Sequence, residues 1–327
     1  MPARIVGVLC VAFLLLSGMS MSGQAPPEPE KTPERISKPG VYALALQVGD
    51  RARHYIVHVP PTYDGRRRTP IVVMLHGGGG TARAAMVETG WSMKADKSGF
   101  LAVFPEGTAP DSSKPSRFAG NPQTWNDGSG RFYSGQNKID DVGFMNALLD
   151  DLIARFTVDT RRIYVTGFSN GASMAFRLGV EMGQRIAAVA PVSGYLWLKK
   201  PKLEHPVPLL YMIGTEDPLV PLEGGKVKPP WAPAEIRLPA RDSVTKWAEM
   251  LGCPPEPKVD REKEGIKILT YGPGKSGAEV VFYIIEGMGH TWPGGKRLLP
   301  ERVVGKTTDK IKANDVIWDF FRKHPRK

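Results

Sequence analysis

Cysteine is nearly absent from this chain of 327 residues, which carries only Cys10 and Cys253. Cys10 lies inside an N-terminal apolar run, so Cys253 stands alone once that run is removed, and no disulfide can form within the mature chain. No group of His, Cys, Asp and Glu has the spacing of a metal site, so neither a metal nor an organic cofactor is expected. No internal repeat is visible, and the 44 Lys and Arg residues are scattered rather than gathered into a nucleic-acid motif. The formal charge of +11 therefore reads first as solubility, with nucleic acid excluded as a partner. No long apolar segment interrupts the later strands, which excludes a greasy lid over a binding trough.

The N-terminus is where apolar residues do concentrate. A short positive start with Arg4 leads into the unbroken run Ile5 to Leu16, and small residues follow up to Ala25. This is the pattern of a signal peptide over residues 1–25, too short to persist as a membrane span. Leu9 before Cys10, in place of a small residue, argues against lipidation. The mature chain is therefore expected to be secreted, without stable membrane insertion. Residues 26–39, rich in Pro, Glu and Lys, read as a disordered spacer. Residues 40–327 read as one domain, long enough for a sizeable core.

Within that domain strands alternate with helices. Gly40 to Val48 pairs with Arg53 to Val59. Ile71 to Leu75 and Phe100 to Phe104 are continuous apolar runs, hence strands buried on both faces. A short helix lies around Gly90 to Ser98, and the polar stretch Thr108 to Asn137 is a long loop of the kind that usually carries function. Met145, Leu148, Leu149, Leu152 and Phe156 form a helical stripe headed by Asp140 and Asp141, read as caps. Strands at Ile163 to Thr166, Ala187 to Val192 and Val207 to Ile213 follow. Next come a proline-rich excursion from Gly224 to Pro239, a helix from Arg241 to Leu251 and strands at Ile266 to Tyr271 and Val280 to Ile285. A closing helix spans Ile311 to Arg322. The expected architecture is α/β, a mostly parallel central sheet with helices on both faces.

The segment RIYVTGFSNGAS, Arg162 to Ser173, organises the rest. It is a G-x-S-x-G sequence with a strand before it and a helix after it. A nucleophilic serine needs a sharp, strained turn, and small residues two before and two after make room for one. Such a turn lifts the Ser169 hydroxyl above the sheet edge and aims the Asn170 backbone N–H at a developing oxyanion. Asp217 and His290 lie just past the ends of two later strands, the edge where open α/β sheets gather their chemistry. In this arrangement His290 takes the serine proton and Asp217 holds the imidazole tautomer. Asp217 precedes a proline that fixes its turn, unlike Glu216, Asp242 and Asp315. His54 and His58, four apart on a strand, stand about 13 Å apart and make no local metal pair. His76 braces the glycine run Gly77 to Gly80, which lacks the Lys-Ser ending of a phosphate loop. That run better supplies a second oxyanion N–H, from Gly78 or Gly79, typically worth ~3 kcal/mol.

GFSNG, GTEDPLVP and GMGHTWPGG, with LHGGGG and WNDGSGR upstream, resemble the secreted polyhydroxybutyrate depolymerase and feruloyl esterase family of the α/β-hydrolase superfamily. The resemblance runs from about Gly40 to the C-terminus, and HTWPGG is its most specific part. It implies the α/β-hydrolase fold, with Ser169 as nucleophile, Asp217 as acid and His290 as base. The substrate is then an ester, linked to carbohydrate or polyester, with feruloyl esters of cell-wall polysaccharide ahead of short polyesters. The depolymerases often carry disulfides and a separate polymer-binding domain, and neither is visible here. A non-catalytic carbohydrate-binding protein on the same scaffold is the reading from another class; an intact Ser, Asp and His set argues against it. Trp292, two residues after His290, and Trp125 in the long loop are expected to form a wall against which a flat acyl group or sugar stacks.

Overall fold

The computed structural model describes residues 33–327; the expected signal peptide and spacer residues 26–32 lie outside the described residues. The strands in chain order are β1 (Gly40–Val48), β2 (Arg51–Val59), β3 (Thr69–Leu75), β4 (Leu101–Pro105), β5 (Val158–Phe168), β6 (Ala188–Val192), β7 (Leu209–Gly214), β8 (Gly225–Val227), β9 (Glu235–Arg237), β10 (Lys258–Lys263), β11 (Ile266–Tyr271) and β12 (Val280–Ile285). The helices are α1 (Ala82–Thr89), α2 (Trp91–Ser98), α3 (Tyr133–Gln136), α4 (Asp141–Arg155), α5 (Asn170–Glu181), α6 (Arg241–Leu251), α7 (Glu301–Val304) and α8 (Ala313–Phe321). Ten strands form one sheet in the order β1-β2-β4-β3-β5-β6-β7-β12-β11-β10, while β8 and β9 pair separately. The pairings from β4 through β3, β5, β6 and β7 to β12 are all parallel, and the outer pairings are antiparallel.

Alternation along the central strands builds the core, because successive side chains point to opposite faces. Ile71, Val73, Leu75, Leu101, Val103, Ile163 and Val165 face a cluster with Phe144, Leu148 and Leu152 of α4, Met174 and Phe176 of α5 and Trp247 of α6. Val72, Met74, Ala102, Phe104, Tyr164 and Phe168 face the other cluster, with Trp91 and Ala95 of α2 and Ile317, Phe320 and Phe321 of α8. Helices thus cover both faces, and each fully buried large side chain contributes about 1.5–3 kcal/mol.

Several local expectations shift. The helix expected around Gly90 to Ser98 is the second of two, because Gly90 adopts a left-handed conformation, φ 68°, that ends α1 and opens α2. Residues 33–39 do not hang free as a spacer. The Ile36 N–H donates to Arg155 O at 2.8 Å, and Arg35 donates to Thr157 Oγ1 at 3.0 Å. The proline-rich excursion contains the β8–β9 hairpin. Asp140 caps α4 by accepting from the Gly143 N–H at 2.8 Å. Asp141 does other work: fully buried, it accepts from Arg53 Nη2 at 2.7 Å and from the Asn126 N–H at 2.7 Å. Burial pushes its carboxyl upward, and the Arg53 charge opposes that shift.

Removing one partner of this pair leaves the other charge buried and alone. Asp141→Ala is expected to lower the unfolding free energy by about 3–5 kcal/mol in urea titration, whereas replacing both partners with apolar side chains recovers most of the loss. A single-variant loss below about 1 kcal/mol would contradict this.

Candidate active site

Ser169 sits between β5 and α5 with φ 56° and ψ −118°, a conformation that typically costs a non-glycine residue ~1–3 kcal/mol. Neighbouring backbone holds it there. The Ser169 N–H donates to Val192 O at 3.0 Å, and Ser169 O accepts from the Ser173 N–H at 3.0 Å. The flanking glycines have a steric reason. A Cβ on Gly167 would lie 2.3 Å from Gly171 O, and one on Gly171 would lie 2.3 Å from Leu75 O. The turn closes only because both positions are bare.

β7 and β12 are parallel neighbours, so the loops leaving their carboxyl ends lie side by side. Asp217 follows β7, and His290 follows β12. His290 Nδ1 lies 2.8 Å from Asp217 Oδ2 and 3.1 Å from Oδ1. Asp217 Oδ1 also accepts from the N–H groups of Leu219 at 2.9 Å and Val220 at 2.8 Å. Facing a carboxylate, Nδ1 carries the proton, which leaves the Nε2 lone pair for the cavity. The His290 ring rests on Phe168, with centroids 4.7 Å apart. Glu216 is exposed and Asp315 pairs with Lys94, so neither serves the histidine.

The N–H of Asn170, first residue of α5, has no intrahelical acceptor within reach. The Gly78 N–H likewise donates to no backbone carbonyl among the described residues. Gly79, the other expected donor, is excluded: its N–H donates to Gln123 O at 2.7 Å. His76 does brace the glycine run. Its Nδ1–H donates to Gly77 O at 2.8 Å and its Nε2 accepts from the Gly107 N–H at 2.9 Å. Burial lowers its pKa to about 4, so the ring stays neutral.

The two expected substrate-stacking tryptophans do not line the site. Trp125 is 0% exposed and Trp292 is 1% exposed. Trp125 packs on the His76 ring at 5.0 Å and donates from Nε1 to His76 O at 3.0 Å. The Asn170 side chain holds the same loop. Its Oδ1 accepts from the Trp125 N–H at 2.8 Å, and its Nδ2 donates to Trp125 O at 3.1 Å and Asp127 Oδ2 at 2.8 Å. Trp292 donates to Asn314 Oδ1 at 2.9 Å and lies edge-on to Phe168. Trp292 is close to His290 in sequence and Trp125 belongs to a loop on the catalytic edge, but their indole N–H groups are used inside the fold.

Two small cavities flank Ser169. One, of about 70 Å³, is lined by Gly78, Phe168, Ser169 and His290, with Phe118 and Trp231 also in its wall. The other, of about 60 Å³, is lined by Ser169, Asn170, Arg131, Tyr195, Trp231 and Arg237 among others. Phe118 (42% exposed) and Trp231 (48% exposed) meet edge to face at 5.3 Å. These are the aromatics that sequence reasoning missed. The available signal was a large aromatic in each of two polar, loop-forming stretches. Glu88 of α1 also lines the first cavity, and burial raises its pKa to about 8.

Residues 53–201 match the family described as Esterase PHB depolymerase. NocK of Nocardia uniformis subsp. tsuyamanensis, a protein named as an esterase, is 30% identical over 302 residues, which cover 85% of this chain and 81% of NocK. Feruloyl esterase B of Piromyces equi is 28% identical over 75% of this chain, and the match spans 44% of that longer protein. The solved structure of an acetyl xylan esterase from Aspergillus awamori shares the fold, with a TM-score of 0.55 at 14% identity, covering 77% of this chain and 94% of that one. Fold and relatives together define a serine-esterase-type hydrolase of the α/β-hydrolase fold. The chain belongs to the esterase PHB depolymerase family.

Glu88 supplies a test of the cavity's polarity. The folded state keeps its proton up to about pH 8, while the unfolded chain releases it in the ordinary carboxylate range. The contribution of this group to stability therefore falls as pH rises between those limits. Glu88→Gln cannot ionise, so it is expected to melt above wild type beyond pH 8 and close to wild type below the carboxylate range. Parallel melting curves across this span would show that the carboxyl is ordinary.

Proposed function

We propose that the chain is a secreted serine carboxylic-ester hydrolase acting on feruloyl or similar esters of cell-wall polysaccharide, through residues of a single domain over 40–327. The observation that carries the reading is one constellation. A strained strand-to-helix serine shares a cavity with a histidine whose far nitrogen is paired to a buried aspartate. Ser169 Oγ attacks the ester carbonyl carbon while His290 Nε2 takes the hydroxyl proton. The N–H groups of Asn170 and Gly78 receive the oxyanion, each typically worth ~3 kcal/mol. Collapse breaks the bond to the alcohol oxygen, which leaves with the proton from His290. Water, deprotonated by the same nitrogen, then cleaves the acyl-enzyme and restores Ser169. Asp217 keeps the imidazole tautomer throughout and stabilises its charged form. The N-terminal apolar run supports export.

A second reading is a short-polyester or hydroxyalkanoate hydrolase. What favours it is the apolar rim near the site, where Phe118, Trp231 and Leu298 are all at least 42% exposed and suit an apolar polymer surface better than a hydrated polysaccharide.

Ser169→Ala is expected to lower ester hydrolysis by about 10³-fold or more without changing the melting temperature. A serine-directed phosphonate should add its mass to the peptide containing Ser169 and to no other. Retained turnover in the variant would end the reading. Between substrates, kcat/KM should be higher for methyl ferulate and p-nitrophenyl acetate than for p-nitrophenyl palmitate. Trp231→Ala should reduce the methyl ferulate value by about two- to tenfold, the scale of one aromatic contact. Clearing of a polyhydroxybutyrate film with no release of ferulate would favour the second reading.

A further inference from the structure

The second cavity beside Ser169 has a chemistry that simple ester cleavage does not use. Arg131 comes from the loop before α3, and Arg237 ends β9. Their guanidinium groups lie against one ring, Trp197, at 4.6 and 5.6 Å from its centroid. Arg131 also covers Phe132 at 5.0 Å, and Arg237 lies 5.9 Å from the Tyr195 ring. Two like charges against one aromatic ring in a partly desolvated cleft call for a negative partner. Glu235 provides part of one: its Oε1 bonds Arg237 Nη2 and lies 3.9 Å from Arg131 Nη1. Asp127 adds to the field at Arg131, but its oxygens are held by Asn170 and Ser129.

These acceptors do not use up the donors. The Nε groups of Arg131 and Arg237, the Tyr195 hydroxyl and the Trp197 indole N–H are all buried without a hydrogen-bond partner among the described residues. Burial, and then the Arg237 charge, push the Arg131 pKa downward, as expected for a cation short of counter-charge. Buried polar groups are normally paired, and three of these four, on Arg131, Tyr195 and Arg237, belong to residues that line the cavity, which points to a missing ligand with acceptor oxygens.

The direction of the substrate follows from His290, which lines the other cavity and not this one. The alcohol oxygen must lie on the His290 side to receive its proton, so the acyl half lies on the arginine side. We infer that the preferred acyl group ends in a carboxylate bound by Arg131 and Arg237, making the substrate class a hemiester of a dicarboxylic acid. The inference rests on the serine-esterase reading above and, within it, puts a carboxylate-bearing acyl group in place of feruloyl as the preferred one. Glu235, on the exposed β8–β9 hairpin, is the acceptor that the substrate carboxylate replaces.

The experiment compares 4-nitrophenyl hydrogen glutarate with 4-nitrophenyl hexanoate, of similar length and no charge. The wild-type ratio of kcat/KM values should favour the hemiester by about tenfold or more, the scale of a charge-assisted pair. Arg131→Gln and Arg237→Gln should each bring that ratio towards one, mainly through KM, with Arg131→Lys retaining part of it. Glu235→Gln, which removes the competing anion, should raise the ratio, an outcome that a purely structural role for the cluster does not produce. A wild-type ratio of one or less, or a ratio unchanged in both glutamine variants, overturns the inference. Calorimetric titration of wild type with free glutarate, against butyrate as control, is independent of turnover. If neither nitrophenyl ester is cleaved, the esterase reading fails. Glutarate heat lost in Arg131→Gln then still supports the anion site, and its absence in wild type removes it.

Discussion

Everything at the strand ends depends on how closely the turn after β5 approaches the end of β3. Gly171 lies so near the carbonyls of Leu75 and His76 that no side chain fits between them. That approach brings the head of α5, the glycine run and the serine turn together in one place. The strain in Ser169 is tolerable because backbone hydrogen bonds to Val192 and Ser173 hold its two sides. A looser turn would relax the serine and also separate the two N–H groups expected to receive the oxyanion.

A web of polar groups then extends this rigidity outward. Asn170 uses its backbone at the site and its side chain to grip the loop at Trp125 and Asp127, while Trp125 covers His76 and His76 ties the loops after β3 and β4 together. The long loop is therefore ordered from its base, although its outer part carries exposed Phe118. Asp217 and His290 form a separate unit on the adjacent strands β7 and β12. A Cβ on Gly214 would lie 1.9 Å from Met288 O, so the two loops also meet through a bare position.

The central strands, α6 and the strand-end residues Ser169, Asp217 and His290 were legible in the sequence. Buried parallel strands are continuous apolar runs, and a sharp turn needs small residues at fixed offsets. β10 escaped notice because its six residues are all exposed and mostly charged, which leaves no apolar period to read. α1 escaped because its apolar residues are mostly alanines. The roles given to Trp125 and Trp292 failed for a different reason. Closeness in sequence to His290, or membership of a loop on the right edge, does not tell whether a ring faces the cleft or the core. Arg131, Tyr195, Trp197 and Arg237 come from three separate segments, and only the folded chain brings them together.

β10 also bears on how the molecule behaves among its own copies. It closes one edge of the ten-stranded sheet with Lys-Val-Asp-Arg-Glu-Lys, a row of ions of both signs around a single exposed valine. An unpaired strand edge is a template onto which another chain can add, and charge along it makes that addition unfavourable. Neutralising these side chains would leave the chemistry at the far strand ends untouched, yet it would open this border to edge-to-edge growth in concentrated solution.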